Sequence, residues 1–362
     1  MTKALKLYFS IFFLLVIFGT VMVFNIRVFN VHPVNESVFP ILRSLIINLM
    51  MALSAMALCY IVNIDAVRTW IKYAVVLIIL VLIATYLVGT EVNGSKRWIN
   101  LGFMMVQPSE FAKIVVVFYM AEVICNKRER IGLLKELIYP FFVVLIIVSL
   151  IAFEDLGTGL IIFSVALFLL LMGGMRFKYI VVLGVLAVIG FSFLILMKPY
   201  RVERIRSFLD PWQYRQSSGY QQVQSEIALG RGGKTGVGFG NSQKKMRYLP
   251  EAHTDFIYSI IGEEFGFAGS LVLISLFVLM FMIGSYFALS VYSRFGFYLI
   301  SGFVIMLAVQ TLINLGVVTS SLPNKGVPLP FISYGGSALM SYSVMVGFIL
   351  NAVTTDNRFN NF

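Results

Sequence analysis

The sequence predicts an all-α polytopic integral membrane protein of about ten transmembrane helices, with a long extracytoplasmic loop between helices seven and eight. Three observations lead there. Of 362 residues, 59% are apolar and only 12% charged, against roughly 25% charged in a soluble domain. Mean hydropathy is +0.90. Ten apolar runs, each near the roughly 20 residues that cross a bilayer, leave no room for a separate soluble domain. Residues 1–362 therefore read as a single transmembrane domain, whose long outer loop covers 198–265.

The runs fall at approximately 6–25, 40–62, 71–89, 109–125, 138–155, 157–174, 177–196, 266–288, 295–318 and 332–354. Lys3 and Lys6 before the first run look like a signal sequence. No small-residue cleavage site follows at 21–27, so an uncleaved first span is expected. With the N-terminus inside, the inner segments hold twelve Lys/Arg, including Arg128, Arg130 and Arg358, whereas the short outer loops hold four: Arg27, Lys96, Arg97 and Lys325. That bias predicts cytoplasmic termini. The net charge of +11 (28 − 17) lies mostly in loops, where orientation and anionic lipid account for it more simply than nucleic acid does. Cys59 and Cys125 are too few for a disulfide framework, and His32 with His253 cannot build a multi-histidine metal cluster.

Several segments are candidates for chemistry. Arg43 is a charge near the outer end of span two. The outer segment 91–100 contains an Asn93-Gly94 turn signal. Pro108 stands near the first helical position of span four. Glu110 and Lys113, three apart, share a helix face and can pair, either structurally or facing a functional interior. Asp155, in the tight turn between spans five and six, either faces the outer cavity or caps span six.

The long loop segregates its charge. Lys198 to Arg247 holds ten Lys/Arg against Glu203, Asp210 and Glu226, whereas Tyr248 to Phe265 holds Glu251, Asp255, Glu263 and Glu264 with no cation. Cations followed by carboxylates suit a polyanionic substrate: the cations neutralise phosphate while a carboxylate takes a proton. A basic face toward lipid headgroups is the alternative. Residues 248–257 read as a turn entering a helix, with Thr254 as cap and Asp255 in the first turn. That helix would carry Asp255, Ser259 and Glu263 on neighbouring faces. Six glycines within residues 230–240 allow close backbone approach to a ligand or a bend against lipid, and match no nucleotide fingerprint. In the last outer loop Pro323, Pro328 and Pro330 forbid regular helix, and the apolar residues between them suggest a course at membrane depth. Gly335-Gly336-Ser337 then either offers free amides to an anion or packs between helices.

Four ordered motifs carry a family resemblance over essentially the whole chain. They are Asn93-Gly94 and Arg97-Trp98-Ile99 with residues 107–113; Asp155-Leu156-Gly157-Thr158; residues 248–256 followed by Glu263-Glu264; and residues 328–337. Together they resemble the SEDS family (FtsW, RodA and the sporulation relatives), polymerases of the bacterial cell-wall glycan. Residues 238–253 lie closer to the FtsW pattern. Phe153 and Glu154 depart from the Gln/Glu-Pro common before the aspartate, and Ala338 replaces a serine.

The resemblance implies polymerisation of lipid II at the outer face of the cytoplasmic (inner) membrane. The acceptor GlcNAc 4-hydroxyl attacks the donor MurNAc anomeric carbon with inversion, and polyprenyl pyrophosphate leaves. It implies Asp255 as general base and a substrate cavity served by Glu110, Lys113, Arg43, Arg97, Lys244, Ser333 and Gly335. It further implies a divalent cation (Mg or Mn) with unknown ligands. The expected partners are the nascent glycan strand, a class B penicillin-binding protein, other division proteins and membrane lipids. Rival readings are a lipid II transporter, a RodA-like elongation polymerase and a noncatalytic scaffold. A transporter would line the whole crossing path with polar groups instead of concentrating carboxylates outside.

Overall fold

The structure is a computed structural model describing residues 3–30, 38–92, 95–100, 102, 105–127, 134–246 and 248–356. His32, Asn93, Gly94, Arg128, Arg130, Arg247 and Arg358 lie outside the described residues. Twelve helices appear among those described: α1 (Lys3–Asn30), α2 (Phe39–Ile61), α3 (Ile64–Val88), α4 (Pro108–Asn126), α5 (Leu134–Glu154), α6 (Leu156–Met172), α7 (Phe177–Leu196), α8 (Pro199–Leu209), α9 (Tyr220–Gly232), α10 (Ile257–Ser290), α11 (Arg294–Val318) and α12 (Gly336–Thr355). Each of the ten apolar runs coincides with one of them. The other two, α8 and α9, order the long loop. Seven helices (α1, α2, α3, α7, α10, α11 and α12) are long and apolar enough to cross a membrane, and the chain is a multi-pass membrane protein.

The expectation of a purely helical chain needs one amendment. Strands β1 (Thr90–Val92), β2 (Ser95–Asn100) and β3 (Met105–Val106) form a small antiparallel sheet between α3 and α4. A short polar connection cannot sustain helix, so its backbone groups pair across strands instead. The sheet carries Arg97 on β2.

The core sits around α4, α11 and α12, flanked by α2, α6 and α10. Phe118 packs edge-on against Phe348 at 4.8 Å and Phe303 at 5.8 Å, sealing the middle of the bundle. By contrast α7 has no buried residue.

Two irregular segments differ from the sequence expectation. The eighth apolar run starts at residue 266, yet α10 already begins at Ile257 and is broken at Gly266, where φ is 67° and ψ −166°. A Cβ at Gly266 would lie 2.3 Å from the Gly236 amide nitrogen. The glycine-rich loop crosses the helix here and takes over its freed backbone groups. Val237 and Gly238 amides donate to Glu263 and Glu264 carbonyls at 3.0 Å, while Phe267 and Ala268 amides donate to Gly233 and Lys234 carbonyls at 2.9 and 3.1 Å. Gly232 and Gly236 therefore serve backbone-to-backbone contact, since a Cβ at either would lie 2.0 or 2.2 Å from the Gly262 or Glu264 carbonyl oxygen. The tenth apolar run starts at residue 332, but α12 starts at Gly336 because the preceding residues are extended or turned, with Phe331 at φ 65°.

That 323–335 segment does run buried, with Val327, Leu329, Phe331 and Ile332 at most 3% exposed. Its carbonyls are satisfied by α11: Asn314 donates to Val327 at 2.7 Å and Gln310 to Pro328 at 3.2 Å. Non-helical backbone inside a membrane bundle requires such partners.

Candidate active site

Asp255 lies in the turn just before α10, not in its first helical turn, and Thr254 does not cap that helix. Thr254 instead donates to the Glu251 carboxylate at 2.8 Å, with Glu251 itself at φ 55°. Ser259 and Glu263 are thus on α10 while Asp255 precedes it. The turn is held from two sides. Asn314 donates to the Asp255 carbonyl at 2.8 Å, and Ser333 Oγ donates to the Thr254 carbonyl at 2.5 Å. Gly326 lies so close that a Cβ there would come within 2.9 Å of Asp255 Oδ2.

Desolvation by the surrounding protein pushes the Asp255 carboxyl up to about 7, with Glu251 and Asp155 adding to the rise. Arg204 and Arg97 oppose it. A carboxylate tuned near neutral pH is what general-base work requires. The charges that act on it arrive from separate elements: Asp155 before α6, Arg97 on β2, Arg204 on α8. Asp155 both caps and faces the site. It accepts from the Thr158 amide and hydroxyl at 3.0 Å, and Arg97 Nη1 lies 3.6 Å from its Oδ2. Arg97 Nε is buried without a hydrogen-bond partner among the described residues, leaving a donor for an anionic oxygen. Lys325 stands on the same side, where burial lowers its amine and Asp155 counteracts the shift.

The remaining expected site residues are placed differently. Glu110 and Lys113 do pair, at 2.8 Å, and both are buried, at 2% and 0% exposure. Their polar atoms are taken by protein: Lys113 by Gln310 at 3.0 Å, Glu110 by Ser341 at 3.0 Å. Gln310 in turn contacts the Tyr342 hydroxyl, so the pair fastens α4 to α11 and α12 beneath the site. Arg43 is exposed on α2 and is not among the charges acting on Asp255. Lys244 turns to Gln224 at 2.7 Å and over the Tyr248 ring at 5.6 Å. Ser333 positions the Asp255 turn, as described above, and Gly335 precedes α12 without a side-chain cap. A cleft between α1 and α2 is lined by Ser333, Tyr334 and Gly335 with Gly19, Val23 and Asn48.

Sequence reading did not single out Gln310 and Asn314, one turn apart on α11; their spacing inside an apolar run was the available signal. It also missed Lys245. This lysine is fully buried, 2.8 Å from Glu264, and donates to Asn25 Oδ1 at 2.9 Å and the Gly240 carbonyl at 2.6 Å. Glu263 beside it accepts from Ser242 Oγ at 2.5 Å and from the Gln243 and Lys244 amides at 3.1 and 3.2 Å. The two glutamates therefore clamp the glycine-rich loop onto α10 and α1. Among the described residues no three His, Cys, Asp or Glu side chains form a group that could hold a metal ion. The expected divalent cation thus finds no ready cage of protein ligands, and no step below is routed through one.

The model of the FtsW/RodA/SpoVE family, described as "Cell cycle protein", matches residues 5–358. The chain belongs to that family. Among its FtsW/RodA/SpoVE relatives, the probable peptidoglycan glycosyltransferase FtsW of Geobacter sp. (strain M18) is 39% identical over 294 residues, 79% of this chain and 80% of its own. Stage V sporulation protein E of Bacillus subtilis (strain 168) is 36% identical over 345 residues, 93% of both chains. A solved chain described under "Structural coordination of polymerization and crosslinking by a peptidoglycan synthase complex" superposes with a TM-score of 0.78 at 25% identity, covering 96% of each chain. The rod shape determining protein RodA of Thermus thermophilus shares the fold at TM-score 0.72 and 22% identity, again covering 96% of each.

Proposed function

We propose that the protein is a peptidoglycan glycosyltransferase that polymerises lipid II into glycan strands for cell division. It would sit in the bacterial cytoplasmic membrane with both termini inside and the Asp255 site facing outward. The observation that carries the reading is a carboxyl held near 7 beside Arg97, Arg204 and Lys325. Asp255 accepts the proton of the acceptor GlcNAc 4-hydroxyl as its oxygen forms a bond to the donor MurNAc anomeric carbon. The bond from that carbon to the pyrophosphate oxygen breaks, and the electron pair leaves with polyprenyl pyrophosphate. Attack from the face opposite the leaving group inverts the anomeric centre. Arg97, with its unpartnered Nε, and the neighbouring cations meet the charge that develops on the pyrophosphate.

The FtsW name of the relatives and the polymerisation in the description of the superposed complex support this activity. The crosslinking in that same description supports a class B penicillin-binding protein as partner, with other divisome proteins around it. Against a lipid II transporter stands the apolar plug of Phe118, Phe303 and Phe348 below the Lys113 pair. The test uses purified protein, with and without its cognate penicillin-binding protein, supplied with lipid II. Wild type should yield glycan strands on a gel and Asp255→Asn should not. A folded wild-type complex that makes no strands would refute the activity.

A further inference from the structure

On the reading above Asp255 is the base, and a base must hold one place against the acceptor hydroxyl. Asp255 stands in a turn before α10, so its rigidity has to come from neighbouring elements. Asn314 of α11 supplies it with one amide group. The residue is 1% exposed, and its Nδ2 donates to the Asp255 carbonyl at 2.8 Å and to the Val327 carbonyl at 2.7 Å. Both amide hydrogens are thereby used. Its Oδ1 is buried with no hydrogen-bond partner among the described residues. A buried orphan acceptor destabilises a fold, yet turning the amide over would set that oxygen against two carbonyls. The orphan is tolerated and both donors stay in place.

The second carbonyl belongs to the segment that borders the base. Val327 follows Gly326, where a Cβ would come within 2.9 Å of Asp255 Oδ2. Gly326 itself is exposed, so it meets the carboxyl at an open surface. The frame around Asn314 is fixed. Gln310, one turn earlier on the same face of α11, accepts from Lys113 at 3.0 Å and donates to the Pro328 carbonyl at 3.2 Å. The buried Glu110–Lys113 pair thus anchors the helix face that carries Asn314. The same segment grips the turn again further on: Ser333 Oγ accepts from the Leu329 amide at 2.8 Å and donates to the Thr254 carbonyl at 2.5 Å.

We propose that Asn314 is a positioning residue for the base: its two donors fix the Asp255 backbone and hold Gly326 and Val327 against the Asp255 carboxyl at one spacing. A methyl at Gly326 would crowd Oδ2 from the open side. Other groups reach the carboxyl from the elements packed around it: Glu251 in its own turn, Asp155 before α6, Arg97 on β2, Arg204 on α8 and the Tyr342 hydroxyl of α12. Lys325, adjoining Gly326, acts on Asp155. Asn314 carries no charge, so it acts on Asp255 through placement and the access of water.

The test compares wild type with Asn314→Ala, each as the full chain with its penicillin-binding protein, in lipid II polymerisation across pH. Loss of the amide leaves two buried carbonyls and a polar cavity that water can enter, and water beside the carboxyl eases its ionisation. The kcat should fall roughly 10- to 100-fold with KM within about twofold. The rising limb of the kcat profile should move down by about one pH unit. Unchanged kcat would overturn the proposal, and so would a fall in kcat with the limb unmoved, which a structural defect alone produces. A second measurement needs no catalysis. The gap in Tm between Asp255→Asn and its parent should widen less from about pH 5 to about pH 8 in the Asn314→Ala background than in wild type; equal widening would overturn the proposal. If Asn314→Ala does not fold, Gly326→Ala carries the test. Its Tm should stay at the wild-type value while synthesis falls about tenfold or more, and full activity would overturn the proposal. Failure of the polymerase reading is separate: it appears as wild type making no strands from lipid II, whatever the gaps in Tm.

Discussion

Asp255→Asn should disable the enzyme and, at the same time, stabilise it in a pH-dependent way. The carboxyl rises from 3.8 to about 7 in the fold, roughly 3 units, which corresponds to about 4 kcal/mol at 1.36 kcal/mol per unit. The sign follows from proton binding. Below the unfolded value both states are protonated and the fold loses nothing. Between 3.8 and about 7 the unfolded chain is ionised while the fold stays protonated, so stability falls as pH rises. Above that window the whole cost is present, reduced to the extent that water reaches this half-buried group. Asparagine never ionises. The gain in stability from Asp255→Asn should therefore be about 1.5 kcal/mol near pH 5 and approach about 4 kcal/mol near pH 8. Thermal unfolding in detergent at both pH values measures it, as a gap in Tm between variant and wild type that widens with pH. Strand synthesis by the same preparations should fall at least ~100-fold. A Tm gap that is equal at the two pH values would refute desolvation as the cause of the shift. A fully active variant would refute the base.

Other perturbations test the surroundings. Arg204→Gln removes the larger of the two cations holding Asp255 down, so the rising limb of the pH–rate profile should move above about 7; an unmoved limb would place Arg204 outside the site. Lys245→Met leaves Glu264 buried and unpaired and should cost about 3–5 kcal/mol, with Lys245→Met/Glu264→Gln recovering part of the lost Tm. Gly266→Ala imposes a side chain at φ 67° and 2.3 Å from the Gly236 nitrogen, beyond the roughly 1–3 kcal/mol of a strained backbone alone; yield of folded protein in detergent should drop sharply.

Much of the scaffold was legible because it is written in short windows. Hydropathy over some 20 residues placed the helices. A spacing of three placed Glu110 against Lys113, and a cap was one of the two readings open for Asp155 because capping involves only the next few residues. The role of those same residues was not legible. Whether Glu110 and Lys113 line a cavity or fasten helices depends on Gln310 and Ser341, which stand 197 and 231 residues away from their partners. The glycine-rich loop could not be interpreted until the break at Gly266 was seen across from it.

The sequence by itself determined a multi-pass helical protein, its family motifs and the segregation of loop charge, and the resemblance those motifs carry singled out Asp255. Only the tertiary structure decided that Asp255 precedes its helix, that Arg97, Arg204 and Asp155 converge on it, and that Arg43 and Lys244 do not. It alone brought Lys245 to Asn25, 220 residues apart. The division has a physical cause. Helix length, caps and i,i+3 pairs are set by neighbours along the chain, whereas desolvation and Coulomb interaction are sums over whatever packing brings near, from any distance in sequence.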